Sequence, residues 1–486
     1  MSTLYNGIQL PAAWPPQNTY NPGGDDPMPV PYLDQPPPVI PIDVGRQLFV
    51  DDFLIEESSL RRSFHQAVKY DGNPVMYPET DLEQENGLPA AVPRSGGIWW
   101  DTENGCYRMW YDAGWSNKYA HATSVDGIIW KRPAALNKDD NHILPDFITD
   151  SSAAFIDFHE TDPVRRYKMF IRQSDRNEPK VPGGWAVTKG RARAYVMSSA
   201  DGIHWSKPTV TGNVGDRSTV FYNPFLRKWV FSIRAYHFIK PVQRIRHYRE
   251  CSDLIREAAW QEGEDVFWTR ADRLDLQDPL LQNPPQLYNL DAIGYESLML
   301  GIFEIHLGPH NNECAQGGFP KTIDLKLGFS RDGFHWQRPD RSAFINSTRN
   351  PGDWDRGYVQ SVGGGCLVFE NELRFYFTGF QGDASNTNIK EVWNNGMYAN
   401  AATGMATLRR DGFASLAAGA AGGAVTTRPL IFTGTHLFVN ADTARGELRA
   451  EVLHEDGTVC PGYEAAACRP VVGDTCKTRI SWKDKE

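Results

Sequence analysis

From about residue 95 onward the chain is written in paired apolar runs, each pair split by a few polar or turn-forming residues. The pairs are GGIWWDTENGCYRMWYDAG, SSAAFIDFHETDPVRRYKMFIR, STVFYNPFLRKWVFSIR, SLMLGIFEIHLG and GGGCLVFENELRFYFTGF. Each run is short and rich in β-branched and aromatic residues, which predicts strands rather than helices. DTENG and FENE supply the turns that two of these hairpins require. The innermost strand of each unit is expected to begin near residues 95, 152, 218, 297 and 361.

A second pattern punctuates the first. SVDGIIW (124–130), SADGIHW (199–205) and SRDGFHW (330–336) are near-copies, with weaker versions around Asp272 and Asp411. The five Asp positions 126, 201, 272, 332 and 411 are spaced by 75, 71, 60 and 79 residues, the signature of a radial array of similar sheets. Within the box, Asp followed by Gly makes a tight turn, and the Trp starts the next strand as a wedge between sheets. The box therefore reads as architecture and not as an active site. Five units predict an all-β fold, a five-bladed β-propeller spanning 42–425, whose circular closure leaves few strand edges exposed.

The flanks read differently. Residues 1–41 are Pro-rich (PAAWPPQ, PMPVPYLDQPPPVIP) without apolar periodicity and predict an extended arm packed along the domain. Residues 426–486 contain HLFVNADTARGELRAEVLHEDGTVCPGY, whose alternation and DG turn predict a short C-terminal β-sandwich-like appendage.

Composition narrows the partners. The formal net charge is −10 with the acids dispersed, which argues against a nucleic-acid partner. No apolar run approaches 18 residues, so no membrane span is expected. Seven scattered Cys without CxxC spacing, and no HExxH, give no reason to assign a metal or a cofactor. The N-terminus shows no signal-peptide pattern, so the chain as given reads as cytoplasmic, or as secreted or periplasmic if a leader has been removed.

In a propeller the polar residues just ahead of each inner strand ring one mouth of the axial channel. Those stretches supply Asp150, Asp216 with Arg217, Asp291 with Tyr295 and Glu296, and Asp353 and Asp355 with Arg356, while the first unit adds Glu83, Glu85, Arg94 and Trp100. Convergent carboxylates on a rigid ring suit glycoside hydrolysis, one acid protonating the leaving oxygen and another attacking or activating water. The arginines suit sugar oxygens or an acidic substituent. Trp99, Trp100, Trp115 and Tyr295 are candidates for sugar stacking, and His65 and His306 for a channel metal if one exists. The competing reading is a propeller that binds carbohydrate without cleaving it.

The blade sequences YAHATSVDGIIWKRP and YVMSSADGIHWSKP, the start LFVDDFLIEESSLRRSFHQAVKYDGNPVM and the ending LFVNADTARGELRAEVL resemble the furanosidase superfamily, glycoside hydrolase families 32 and 43 and their relatives. The resemblance covers about residues 42–486. It implies three acids on successive blades, a nucleophile or base, a stabilising Asp and a Glu acid. Asp150, Asp216 and Glu296 fit that order, which makes them the expected catalytic set. The same likeness implies a carbohydrate substrate.

Overall fold

The structure, a computed structural model, describes residues 2–17, 20–173, 194–237, 243–383, 396–483 and 485. Five antiparallel sheets follow one another along the chain and form the five blades of a propeller. Blade 1 has its inner strand at Ile98–Asp101, followed by Cys106–Ala113 and Lys118–Ser124. Blade 2 runs Thr149–Ile156, Tyr167–Gln173, Ala194–Ser199 and Thr209–Val210. Blade 3 runs Thr219–Asn223, Lys228–His237, Gln243–Cys251 and Val266–Arg270. Blade 4 is three-stranded, Gln286–Tyr295, Leu298–Gly308 and Thr322–Ser330. Blade 5 comprises Gly357–Phe369, Glu372–Phe380 and Ala401–Arg409, and its fourth strand is Val68–Lys69 from the other end of the chain. That borrowed strand ties the last blade to the segment preceding the first.

Four inner strands begin within a few residues of the expected positions, but the fourth does not. It is Gln286–Tyr295, and the run expected to be innermost, starting near 297, is its partner Leu298–Gly308. The two join through Glu296 and Ser297, with Glu296 at φ +50°. A turn with no Gly, Pro, Asn or Asp, between two strands buried on both faces, leaves no mark in the hydrophobic pattern.

The hydrophobic core is divided among the seams between blades, because each sheet is apolar on both faces. Met109, Trp130, Tyr376 and Met405 fill the seam of blades 5 and 1, and Trp110, Tyr119, Ile156 and Tyr167 that of blades 1 and 2. Phe155, Phe170, Trp229 and Phe231 fill the next, then Phe221, Trp268, Phe303 and Trp336, then Leu298, Phe329, Phe375 and Phe377. Edge-to-face pairs such as Phe155–Trp229, at 5.3 Å and 68°, recur in these seams.

The three full Asp boxes share one geometry. In each, the Asp Oδ1 accepts the N–H groups two and three residues on, and the Ser hydroxyl accepts the Gly N–H. Each box is also latched to the preceding blade. Tyr376 donates to the Gly127 carbonyl, Trp110 to that of Gly202 and Trp268 to that of Phe334, at 2.7, 2.8 and 2.7 Å. The weaker copies differ. Asp411 has φ +61° and its carboxylate accepts from Tyr295 and Arg46, while Asp272 binds the Leu274 N–H and Arg341.

The N-terminal arm packs on the outside of blades 3 and 4. Tyr20 stacks on Phe267, Met28 lies in the seam beside Trp336, and the Tyr32 hydroxyl donates to the His335 carbonyl. Behind it Asp51 and Arg331 form an ion pair, both about 1% exposed. The C-terminal segment is not a sandwich. Among the described residues it holds one two-stranded sheet of its own, Phe438–Asp442 with Asp474–Arg479, around a small core of Cys468, Val471, Ile480 and Trp482. Much of its length pairs only through isolated bridges, Leu448 with Val471 and Leu453 with Val459, so among the described residues no second sheet is formed for the first to pack against. All seven cysteines are free thiols.

Candidate functional site

Inner strands run from one face of the ring to the other, and third strands run parallel to them. The residues just before both therefore share one face. There the backbones of blades 1 and 5 meet without side chains between them. A Cβ on Gly363 would lie 2.2 Å from the Ser95 carbonyl oxygen, and one on Gly97, at φ +83°, 2.7 Å from the Gly363 carbonyl. The runs SGG (95–97) and GGG (363–365) are the sequence trace of this close approach.

Beside that contact a hydrogen-bonded ring draws on all five blades. Ser95 of blade 1 donates to Asp291 of blade 4 at 3.0 Å, and Asn289 donates to the same carboxylate oxygen at 3.0 Å. The Ser361 hydroxyl of blade 5 lies between Asp291 and Glu304, 2.9 Å from Glu304, whose Oε1 also accepts the Ser361 N–H at 2.8 Å. Arg217 of blade 3 donates to the same Glu304 oxygen at 2.6 Å, and its backbone N–H donates to Ser151 of blade 2 at 2.6 Å. Arg246 donates to the carbonyls of Arg217 and Tyr288. A second buried pair, Arg94 with Asp112 at 2.7 Å, stands alongside, with Thr149 donating to Asp112 at 2.9 Å and Arg94 lying over the Trp115 ring.

These groups are removed from water, and that tunes them. Burial pushes the Glu304 carboxyl up, with Asp291 adding to the push and Arg217 opposing it. Burial likewise raises Asp112 against the pull of Arg94. Several atoms of the ring have no hydrogen-bond partner among the described residues: Glu304 Oε2, Arg217 Nε and Nη1, Arg246 Nε, Asn289 Oδ1 and both side-chain polar atoms of Gln360. Buried polar atoms left unpaired are costly, so a concentration of them marks a place kept polar for a ligand or for water.

The expected residues distribute unevenly over this geometry. Arg94 and Arg217 are in the ring or beside it, both at positive φ. Asp216 flanks it, ion-paired with Arg234. Asp150 lies in the inner strand of blade 2, and its side chain falls outside the described residues. Asp355 is buried and paired with Lys69 at 2.6 Å, and Arg356 lies over Phe319. Glu296 and Tyr295 do not reach this face. They end the inner strand of blade 4 at the opposite mouth, where Glu296 binds Arg410 at 3.1 Å and the Arg46 backbone N–H at 3.0 Å, and Tyr295 donates to Asp411. Arg46 also donates to the Cys476 carbonyl, and Arg409 pairs with Asp474, so this second network fastens the C-terminal segment to the ring.

Trp100 is 38% exposed at the far end of its short strand, packed on Tyr107, and Trp99 donates to Ala154 in a seam. Trp115 stacks on Tyr398 at 4.8 Å inside an aromatic cluster. His306 is buried, its imidazole held neutral by desolvation and by Arg244 and Lys321, and His65 binds Ser415. Among the described residues no group of three His, Cys, Asp or Glu side chains is arranged to hold a metal ion.

Sequence reasoning missed Asp112 and Glu304, and it named Asp291 among the acids of the fourth unit without giving it a catalytic role. The signal was there at two-residue spacing. Glu304 and His306 share a face of LMLGIFEIHLG, and Arg108 and Asp112 share a face of CYRMWYDA, titratable side chains inside strands otherwise largely apolar on both sides.

No protein-family model matches the chain, and no curated protein sequence matches it. Among solved structures it is similar to an N-acetylgalactosamine deacetylase from F. plautii in complex with blood group B trisaccharide, at 14% identity over 72% of this chain and 95% of that one, with a TM-score of 0.45. It is also similar to an α-L-arabinofuranosidase from Lactobacillus brevis (11% identity, 73% and 95% covered, TM-score 0.41) and to a thermostable family-43 glycoside hydrolase (7%, 69% and 94%, TM-score 0.42). At these levels the likeness assigns no role to any residue.

Proposed function

We propose that the protein is a glycoside hydrolase that works at the propeller axis, on the face where the inner strands begin. The observation that carries the reading is the carboxyl pair Asp291 and Glu304, bridged by the Ser361 hydroxyl and flanked by Arg217. Glycosidic cleavage needs two carboxyl groups with divided duties, one retaining its proton and one ionised. Burial and the adjacent Asp291 favour the protonated form of Glu304, which suits it to protonate a leaving oxygen through its unpartnered Oε2. Asp291, which accepts from Ser95 and Asn289 and lies beside the Ser361 hydroxyl, would serve as the second carboxyl group. Asp150 and Asp216 remain proposed members of the same site, on blades 2 and 3, while Glu296 is not proposed.

A second reading, sugar binding without cleavage, is favoured by one observation. Asp112, Asp291 and Glu304 are each engaged by hydrogen bonds or ion pairs from this chain's own groups. Product analysis on a panel of furanoside- and pyranoside-containing glycans separates the two. Hydrolysis that is lost in Glu304→Gln and kept in Glu296→Gln supports the proposal. Hydrolysis kept in Glu304→Gln sinks the assignment of the acid, and binding without any product supports the second reading.

A further inference from the structure

A chain of net charge −10 concentrates cations at one place on this face. Arg217, Arg234, Arg244, Arg246 and Lys321 surround Tyr288. Arg244 lies over its ring at 5.1 Å, Lys321 lies 3.2 Å from its hydroxyl, and Arg246 donates to its carbonyl. Arg234 and Arg246 are directly opposed on neighbouring strands. The carboxylates that face this group are those of Asp216, on Arg234, and of Glu304 and Asp291, around Arg217. No carboxylate among the described residues pairs with Arg244, Arg246 or Lys321, so the cations are in excess.

The excess is visible in what the cations do to their surroundings. Burial and the neighbouring guanidinium groups pull down the proton affinity of Arg246 and Arg234, although guanidinium groups stay charged. The repulsion is therefore a standing cost that an incoming anion would relieve. Burial would raise the Tyr288 phenol, yet Lys321 and Arg244 overcome it and hold it below the usual phenol range. Two arginine side chains here also hold unused donors, Arg217 Nε and Nη1 and Arg246 Nε, each on a side chain more than nine-tenths buried.

We infer that this cluster binds an oxyanion carried by a sugar, a uronate carboxylate or a sulfate ester, so that the substrate is an acidic glycan. Planar guanidinium groups match the geometry of both oxyanions. Arg244 and Lys321 sit before or at the start of third strands, at the mouth where an entering sugar arrives, and Arg244 is only partly buried. The inference rests on the hydrolase reading for the word substrate, but it is read out as binding and stands or falls separately.

Isothermal titration of the full chain with sodium galacturonate, sodium glucuronate and glucose 6-sulfate, against galactose and glucose, tests it. At least one acidic sugar should bind about tenfold more tightly than its neutral counterpart, with the margin shrinking between low and high salt. Carboxylate and sulfate arms tell which oxyanion is recognised. Arg244→Gln, whose one side-chain hydrogen bond among the described residues is to Gln286, and Lys321→Met should each reduce the preference to less than about threefold while circular dichroism stays unchanged. Equal or tighter binding of the neutral sugars, no binding of any sugar, or full preference retained in Arg244→Gln would each overturn the inference. An enzyme that cleaves neutral glycans and ignores acidic ones would overturn it too while leaving hydrolysis standing.

Discussion

Adding a single methyl group at Gly363 should force the propeller's axis apart. The new Cβ would sit 2.2 Å from the Ser95 carbonyl oxygen and 3.0 Å from its carbon. A carbon and a carbonyl oxygen not bonded to each other need roughly 3.3 Å, so about 1 Å of movement is required. Neither partner yields easily. The obstacle is backbone, in the short 3₁₀ turn Arg94–Gly96, and the Ser95 side chain is fixed to Asp291 at 3.0 Å. Overpacking of this kind costs about 3 kcal/mol, at the upper end of the usual range because no flexible side chain absorbs it. For a ring of this size each kcal/mol lowers the unfolding midpoint by about 2 °C, giving a fall of ~6 °C. Gly419→Ala is the control, with nothing within 4 Å of its new Cβ, and should move the midpoint by less than about 1 °C. Thermal melts followed by circular dichroism measure both, and sugar titration of the folded Gly363→Ala protein reads the displaced Ser95 and Asp291 as weakened binding. A Gly363→Ala midpoint indistinguishable from that of Gly419→Ala would refute closure of the axis by backbone contact.

Asp51→Asn should destabilise the protein by about 3–5 kcal/mol in urea unfolding, because Arg331 would keep its charge in a site about 1% exposed. Asp51→Leu combined with Arg331→Met should recover most of that loss, and a single variant within about 0.5 kcal/mol of the parent would show that the pair is dispensable. Asp101 makes a pH-dependent contribution. Burial pushes its carboxyl up, but the Tyr167 and Asn104 side chains and the Asn104 N–H outweigh that and hold it down to about 2. Since the unfolded value is about 3.9, the stabilisation is present above pH 4 and is lost as pH falls toward 2. Urea midpoints of the parent and Asp101→Asn should differ at pH 6 and converge only as pH falls to about 2, and a constant difference across that range would rule out this origin.

The blade count was legible because two independent periodicities agreed, the paired apolar runs and the Asp boxes, and the seams explain why both exist. A strand that packs on both faces must be apolar throughout, and a box must offer a carbonyl to the aromatic donor of the preceding blade, as Gly127 does to Tyr376 and Gly202 to Trp110. The same rule hid the fourth hairpin. With both strands of LDAIGYESLML apolar on both faces, alternation vanished, and a turn through Glu296 at φ +50° carried none of the usual turn residues. The shifted inner strand places Glu296 at the opposite mouth of the ring from Asp216, since a residue that follows an inner strand lies a strand's length from one that precedes it. Glu296 stands just ahead of the run expected to be innermost and fits the Asp–Asp–Glu order, but its place is a turn, where a charge is ordinary and water is near. Glu304 and Asp112 stand buried within second strands, where a charge is costly unless something there requires it. In a fold whose strands are buried on both faces, the acid that interrupts an apolar strand is the better guide to the axis than the acid beside a loop, and its partner arginine is found on the neighbouring blade or just ahead of the strand, as Arg217 and Arg94 are.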